Sequence, residues 1–216
     1  PALVAAVLAV AVFVNWPILS ADLMRAITEH NLGAALQSEG RFDEAIEHYR
    51  RAITIRSDYA PAYNNMGAAL RATGQVPEAI ASYERALGLR PDYPDAHYNV
   101  ATAFLDRGRL DDAIYHFRGA LQSMPGSVDA HNNLGIALAA KGQSDEAIAE
   151  FREALRLGPD SSKTHRNLGD ALASQGMREE AIEHFQRALR LHPAFADAQR
   201  NLAKLRSLTD RSPPKP

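Results

Sequence analysis

The sequence predicts an all-α fold, a right-handed α–α superhelix of five helix pairs closed by a C-terminal capping helix, on three observations. The first is a period of 34 residues, which separates Gly40, Gly74, Gly108, Gly142 and Gly176. The same period separates Ala45, Ala79, Ala113, Ala147 and Ala181, each followed by isoleucine, and the aromatic column Tyr49, Tyr83, Phe117, Phe151, Phe185. A second alanine column runs through Ala52, Ala86, Ala120, Ala154 and Ala188. Several columns in one register mark a solenoid, in which each unit buries its apolar flank against the next. The second observation is apolar spacing of helical period on both sides of each column glycine, which describes two amphipathic helices joined by a tight turn. The third is a composition of 46% hydrophobic and 23% charged residues, the profile of a folded chain.

Taken in order, residues 2–14 are all apolar, the run extends through Trp16, Ile18 and Leu19, and the first charge is Asp22. Residues 1–19 therefore predict the end of a membrane helix, with the Trp16 indole at headgroup level. The start at Pro1 rather than methionine predicts more apolar sequence upstream. A signal peptide would need a basic leader and a small-x-small cleavage site, and neither is present. A buried helix packed on the first repeat is the alternative. Residues 20–208 are expected to form the solenoid, with repeats at about 26–59, 60–93, 94–127, 128–161 and 162–195 and a cap at 196–208. Residues 209–216, ending in Pro213, Pro214, Lys215 and Pro216, predict a disordered tail.

Within each repeat, the column glycine ends the first helix, because only glycine takes a left-handed conformation without steric cost. Acidic residues such as Asp111, Asp112, Asp145 and Glu146 then open the second helix against the positive end of its dipole. Pro91, Pro125, Pro159 and Pro193 close the second helices. Gly33, Gly67, Gly135 and Gly169, with Ala101 in the third repeat, mark close helix approach, and the aromatic column should fill the space they leave.

The pattern N-L-G-x-A-L, then G, then E-A-I-x-x-[YF]-x-x-A-[IL], then P, fullest at Asn133–Gly135, Glu146–Ile148, Phe151, Ala154 and Pro159, resembles the tetratricopeptide repeat family over residues 26–195. Ser57 at the expected closing proline and Glu29 at a common aromatic position are departures in the first repeat. The resemblance implies that the first helices line a concave groove that takes a protein or an extended peptide. One column there is unbroken: Asn31, Asn65, Asn99, Asn133, Asn167 and Asn201. Asn64, Asn132 and Arg166 lie beside it, with His30, Tyr98 and Arg200 at the equivalent positions. An amide offers both donor and acceptor, so a ladder of them could pair with a peptide backbone whatever its sequence. This resembles the ladder in the repeat domain of protein O-GlcNAc transferases. The alternative, that asparagine is simply the family's usual residue there, stays open.

Other functions are disfavoured. With 24 basic and 26 acidic residues the chain has no cationic excess for nucleic acid, and without cysteine it has neither thiolate metal sites nor cysteine nucleophiles. His97, His131 and His165 share one column and His48, His116 and His184 another, but equivalent residues of packed helices, about 8–10 Å apart, are too far to share a metal. No catalytic residues, metal ligands or cofactor are expected. Asp95 and Asn99 argue against a clamp for acidic chaperone tails. The apolar segment followed by repeats is also similar to the end of bacterial multi-pass membrane glycosyltransferases. By that resemblance the repeats would present acceptor protein to a catalytic part upstream and would lie extracytoplasmically.

Overall fold

The computed structural model describes residues 20–209, so the expectations for residues 1–19 and for the tail beyond Thr209 lie outside the described residues. Eleven helices and no strand occur among the described residues. The first helices of the five pairs are α1 (Ala21–Ser38), α3 (Ala60–Ala72), α5 (Pro94–Asp106), α7 (Val128–Ala140) and α9 (Ser162–Ser174). The second helices are α2 (Phe42–Ile55), α4 (Val76–Leu89), α6 (Leu110–Ser123), α8 (Ser144–Leu157) and α10 (Arg178–Leu191), and α11 (Ala196–Thr209) follows as the cap. Helix α1 begins ahead of the 34-residue register, with the Ser20 hydroxyl accepting from the Leu23 N–H at 3.2 Å.

Each glycine of the turn column has a positive φ, 85° at Gly142, and it is this turn that lets α8 fold back on α7. A Cβ built at Gly142 would meet nothing within 4 Å, so the requirement is conformational and not steric. Gly142→Ala is accordingly expected to cost about 1 kcal/mol, read as a lower urea midpoint with unchanged groove binding. A loss below a few tenths of that would show that the turn relaxes.

The curvature follows from which helices meet. Every helix packs on its chain neighbours, and each first helix also touches the first helix of the next pair, α1 on α3 through α9 on α11. Among the described residues no two second helices bring their backbones together, and they meet through long side chains, Arg118 with Glu146 and Arg152 with Glu180. The first helices are therefore crowded together on the inner surface while the second helices splay on the outer one.

The core runs along the seam between the two layers. Tyr49, Tyr83, Phe117, Phe151 and Phe185 are all buried. The close approach expected of the small residues is present. A Cβ at Gly33, Gly67, Gly135 or Gly169 would lie 2.6–2.8 Å from the aromatic ring of its own repeat. Tyr49 directs its hydroxyl to Gln37 at 2.9 Å, whereas the buried Tyr83 hydroxyl has no hydrogen-bond partner among the described residues. From the third repeat onward phenylalanine removes that polar group.

Candidate functional site

The asparagine column lies on the first helices and so on the concave face, but its amides are not free. Four of the six, Asn65, Asn99, Asn133 and Asn167, reach back to the preceding repeat at a sequence offset of 35, one more than the period. Asn65 donates to His30 Nε2 at 2.9 Å, and Asn99 donates to Asn64 Oδ1 at 3.0 Å. Asn133 donates to the Tyr98 hydroxyl at 3.1 Å, and Asn167 donates to Asn132 Oδ1 at 3.0 Å. Asn64 and Asn132 in turn donate to Asn65 and Asn133 at 3.1 and 3.2 Å. Two relays result, one linking Asn99, Asn64, Asn65 and His30, the other Asn167, Asn132, Asn133 and Tyr98.

The amide can only donate to His30 Nε2, so that ring carries its proton on Nδ1 and passes it toward Asn31 Oδ1 at 3.3 Å. Burial holds the His30 pKa below its ordinary value, which keeps the acceptor available. Asn31 is exposed.

The pattern changes at the last step because Arg166, with donors alone, occupies the place of an acceptor. Asn201 turns instead to Asp170 Oδ1 at 2.6 Å, and Arg166 Nη1 donates to Asp170 Oδ2 at 3.0 Å. Arg200 is exposed and pairs with Asp197. All nine candidate residues thus sit on one surface. The sequence pointed to His30 and Tyr98 only as neighbours and passed over Asp170, which the offset of 35 combined with a donor-only Arg166 could have revealed.

Two clefts open along this surface. One, of about 280 Å3, lies between α7, α8 and α9 against Ile136, Ser144, Phe151, Asn167 and Asp170. The other, of about 450 Å3, lies between α9, α10 and α11 against Asp170, Arg178, Phe185, Asn201 and Lys204.

On the outer side, the histidine columns meet each other within a repeat and not along a column. His97 and His116 approach through their Nδ1 atoms at 2.9 Å, and His165 and His184 at 3.0 Å. In the fourth repeat a carboxylate takes the second position, His131 Nδ1 lying 2.6 Å from Glu150. The other ring nitrogen of His97, His131 and His165 donates to the carbonyl of Pro91, Pro125 or Pro159 at 2.9–3.0 Å. Gln199 does the same for Pro193 in the cap, at 2.8 Å. Among the described residues no three metal-ligating side chains converge.

Profiles described as tetratricopeptide repeat match residues 24–92 and 126–194, and a second such profile matches residues 64–128. The chain belongs to the tetratricopeptide repeat family. Among solved structures it is similar to YrrB, described as a TPR protein with an unusual peptide-binding site, at 25% identity and a TM-score of 0.74 over 83% of this chain and 91% of that one. It is also similar to residues 41 to the end of MamA from Desulfovibrio magneticus RS-1, at 22% identity and a TM-score of 0.73 over 79% and 97% of the two chains. A third similar structure is TTC0263, a thermophilic TPR protein of Thermus thermophilus, at 22% identity and a TM-score of 0.61 over 84% and 99%. The last two show the TPR fold alone. No curated protein matches the chain.

Proposed function

We propose that this chain is a protein-interaction module that holds an extended peptide segment in the concave groove of its TPR superhelix. The observation that carries this reading is the pair of amide relays. Bonding to the preceding repeat fixes the orientation of Asn99 and Asn167 yet uses one amide hydrogen of each, and no donor among the described residues meets their Oδ1 atoms. A pre-oriented amide with an open acceptor and a second N–H can take a peptide N–H and C=O together at little entropic cost. With first helices about 8–10 Å apart, Asn99 and Asn167, which lie two repeats apart, would present one such pair for about every five or six residues of an extended chain. The similarity to YrrB, itself described as peptide-binding, points the same way.

The test is selection of peptides from a random library on the chain, followed by measurement on Asn99→Ala and Asn167→Ala. Selected peptides are expected to lose about tenfold in affinity per substitution. Asn99→Ala also strips a donor from the buried Asn64 Oδ1, so a stability loss of about 1–2 kcal/mol should accompany it. Peptides that bind the folded variants as tightly as the parent, or that cross-link only to second helices, would sink the reading and leave the ladder purely structural.

A second part of the proposal concerns residues 1–19, which we assign as a membrane tether because residues 2–14 are uninterrupted by polar side chains and Trp16 follows. No helix among the described residues is long and apolar enough to cross a membrane. Co-sedimentation with phosphatidylcholine vesicles should need these residues. Equal sedimentation after their removal would end this assignment.

A further inference from the structure

The two groove clefts are the same cleft one repeat apart. Advancing 34 residues takes Phe151 to Phe185, Asn167 to Asn201 and Ala139 to Ala173, so floor and amide are kept in kind. The rim is not. Ile136 becomes Asp170, Ser144 becomes Arg178, and Asp170 becomes Lys204. Earlier residues of the Arg178 column are Phe42, Val76 and Leu110, so this edge of the groove runs from apolar through hydroxyl to cationic.

Charges in the two clefts are balanced differently. In the first, Asp170 is met by Arg166. In the second, the same Asp170 is committed through both oxygens, to Arg166 Nη1 and Asn201 Nδ2. Arg178 and Lys204 have no carboxylate within ion-pair distance among the described residues. Arg71, Arg118, Arg152 and Arg187, by contrast, each pair with an acid of a neighbouring repeat or the turn before it. Glu180, in the same first turn as Arg178, pairs with Arg152 at 2.9 Å. Arg178 also opens α10, where the helix dipole adds to its positive field and favours an anion.

Resting on the groove reading above, we propose that the cleft between α9, α10 and α11 receives an acidic side chain of the bound segment. The carboxylate takes Arg178 and Lys204, the Asn201 amide contributes its remaining N–H, and the side-chain methylenes lie on Ala173 and Leu205. A cleft of about 450 Å3 admits such a side chain. Two cations suit a single carboxylate better than a polyanion, consistent with a chain whose net charge is −2. Because the preceding cleft offers Ile136 and no net charge, the site sets the direction and register of the segment: apolar contacts on the early repeats, an acid at the last.

The experiment uses three N-acetylated hexapeptides of alanine and valine, the first two also amidated at the C-terminus, titrated into the full chain and followed by amide chemical shifts. One carries a central glutamate, one glutamine in its place, and one glutamine with a free C-terminal carboxylate. The glutamate peptide is expected to bind about tenfold more tightly than its glutamine twin, with shifts at Ala173, Arg178 and Leu205. That preference should vanish in the double variant Arg178→Gln, Lys204→Gln and fade as salt is raised, but persist in Arg156→Gln, an exposed arginine elsewhere. Melting curves establish that the exposed-site variants remain folded. Equal binding of the first two peptides in the groove overturns the acid assignment and leaves the groove standing. Preference for the free C-terminus overturns the side-chain assignment alone. Absence of groove shifts with every peptide at millimolar concentration overturns both proposals.

Discussion

Phe151→Ala is expected to destabilise the chain by about 3–5 kcal/mol, the cost of emptying a buried aromatic site that cannot collapse. The ring is 1% exposed, and the backbone of α7 is pressed against it: a Cβ at Gly135 would stand 2.6 Å from Phe151 Cε1. Phe151 also forms part of the floor of the first groove cleft, so the cavity would open into the binding surface. The fourth repeat is interior to the solenoid, and its loss uncouples the repeats on either side, since stability here is a sum of neighbour interfaces. Urea unfolding followed by circular dichroism should show a lower midpoint and a broadened transition. Filling the same space from the other side should also hurt: Gly135→Val overpacks the ring, at about 2–3 kcal/mol. Ala101, buried at the equivalent place in the third repeat, shows that one methyl can be seated there, so Gly135→Ala is the milder change. A Phe151→Ala loss below about 1 kcal/mol would mean that the layers close over the gap and that the aromatic column is not what holds them apart.

That packing was readable in advance because both partners belong to columns. Gly135 and Phe151 repeat with the same period, and a small residue facing a large one is a relation the sequence displays directly. The asparagine ladder was less legible. A column states which residues are equivalent, whereas the hydrogen bonds join residues 35 apart, so Asn99 meets Asn64 and not Asn65. That extra residue comes from two helices meeting across a repeat boundary, and nothing in the period encodes it. The histidines show the same blind spot more sharply. Asking whether His97, His131 and His165 could converge tests equivalent positions, which the helix spacing keeps apart. The positions that do converge are 19 residues apart on the two antiparallel helices of one repeat, and they carry different letters from repeat to repeat: Glu29 with His48, His97 with His116, His131 with Glu150.

Those pairs imply acid sensitivity centred on the third and fifth repeats. The Pro91 carbonyl can only accept, so His97 is protonated on Nε2 and offers a lone pair at Nδ1, to which His116 donates its own Nδ1–H. One added proton goes to His116 Nε2 and leaves the bond between the rings intact, but a second, on His97 Nδ1, sets two N–H groups against each other and breaks the pair. Burial, then the neighbouring His97, pushes the His116 pKa down to about 4, against a small opposing pull from Asp112. Burial followed by His165 lowers that of His184, with Arg152 adding to the effect and Glu180 and Glu183 opposing it. His165 is lowered by burial as well. Rings that resist protonation when folded make the unfolded chain the better proton binder, so stability is full above the ordinary value of 6.5 and falls as pH drops toward the folded value near 4. Half-open rings are partly screened, which reduces the loss to about 1–2 kcal/mol per pair. The fourth repeat supplies the control, since a charged His131 ring can donate at both nitrogens, to Glu150 and to the Pro125 carbonyl, with no two N–H groups opposed. His116→Glu and His184→Glu together are therefore expected to flatten the fall in melting temperature between about pH 7 and pH 5. Should the double variant lose as much stability over that interval as the parent, the acid response belongs to the carboxylates and the histidine pairs are only packing.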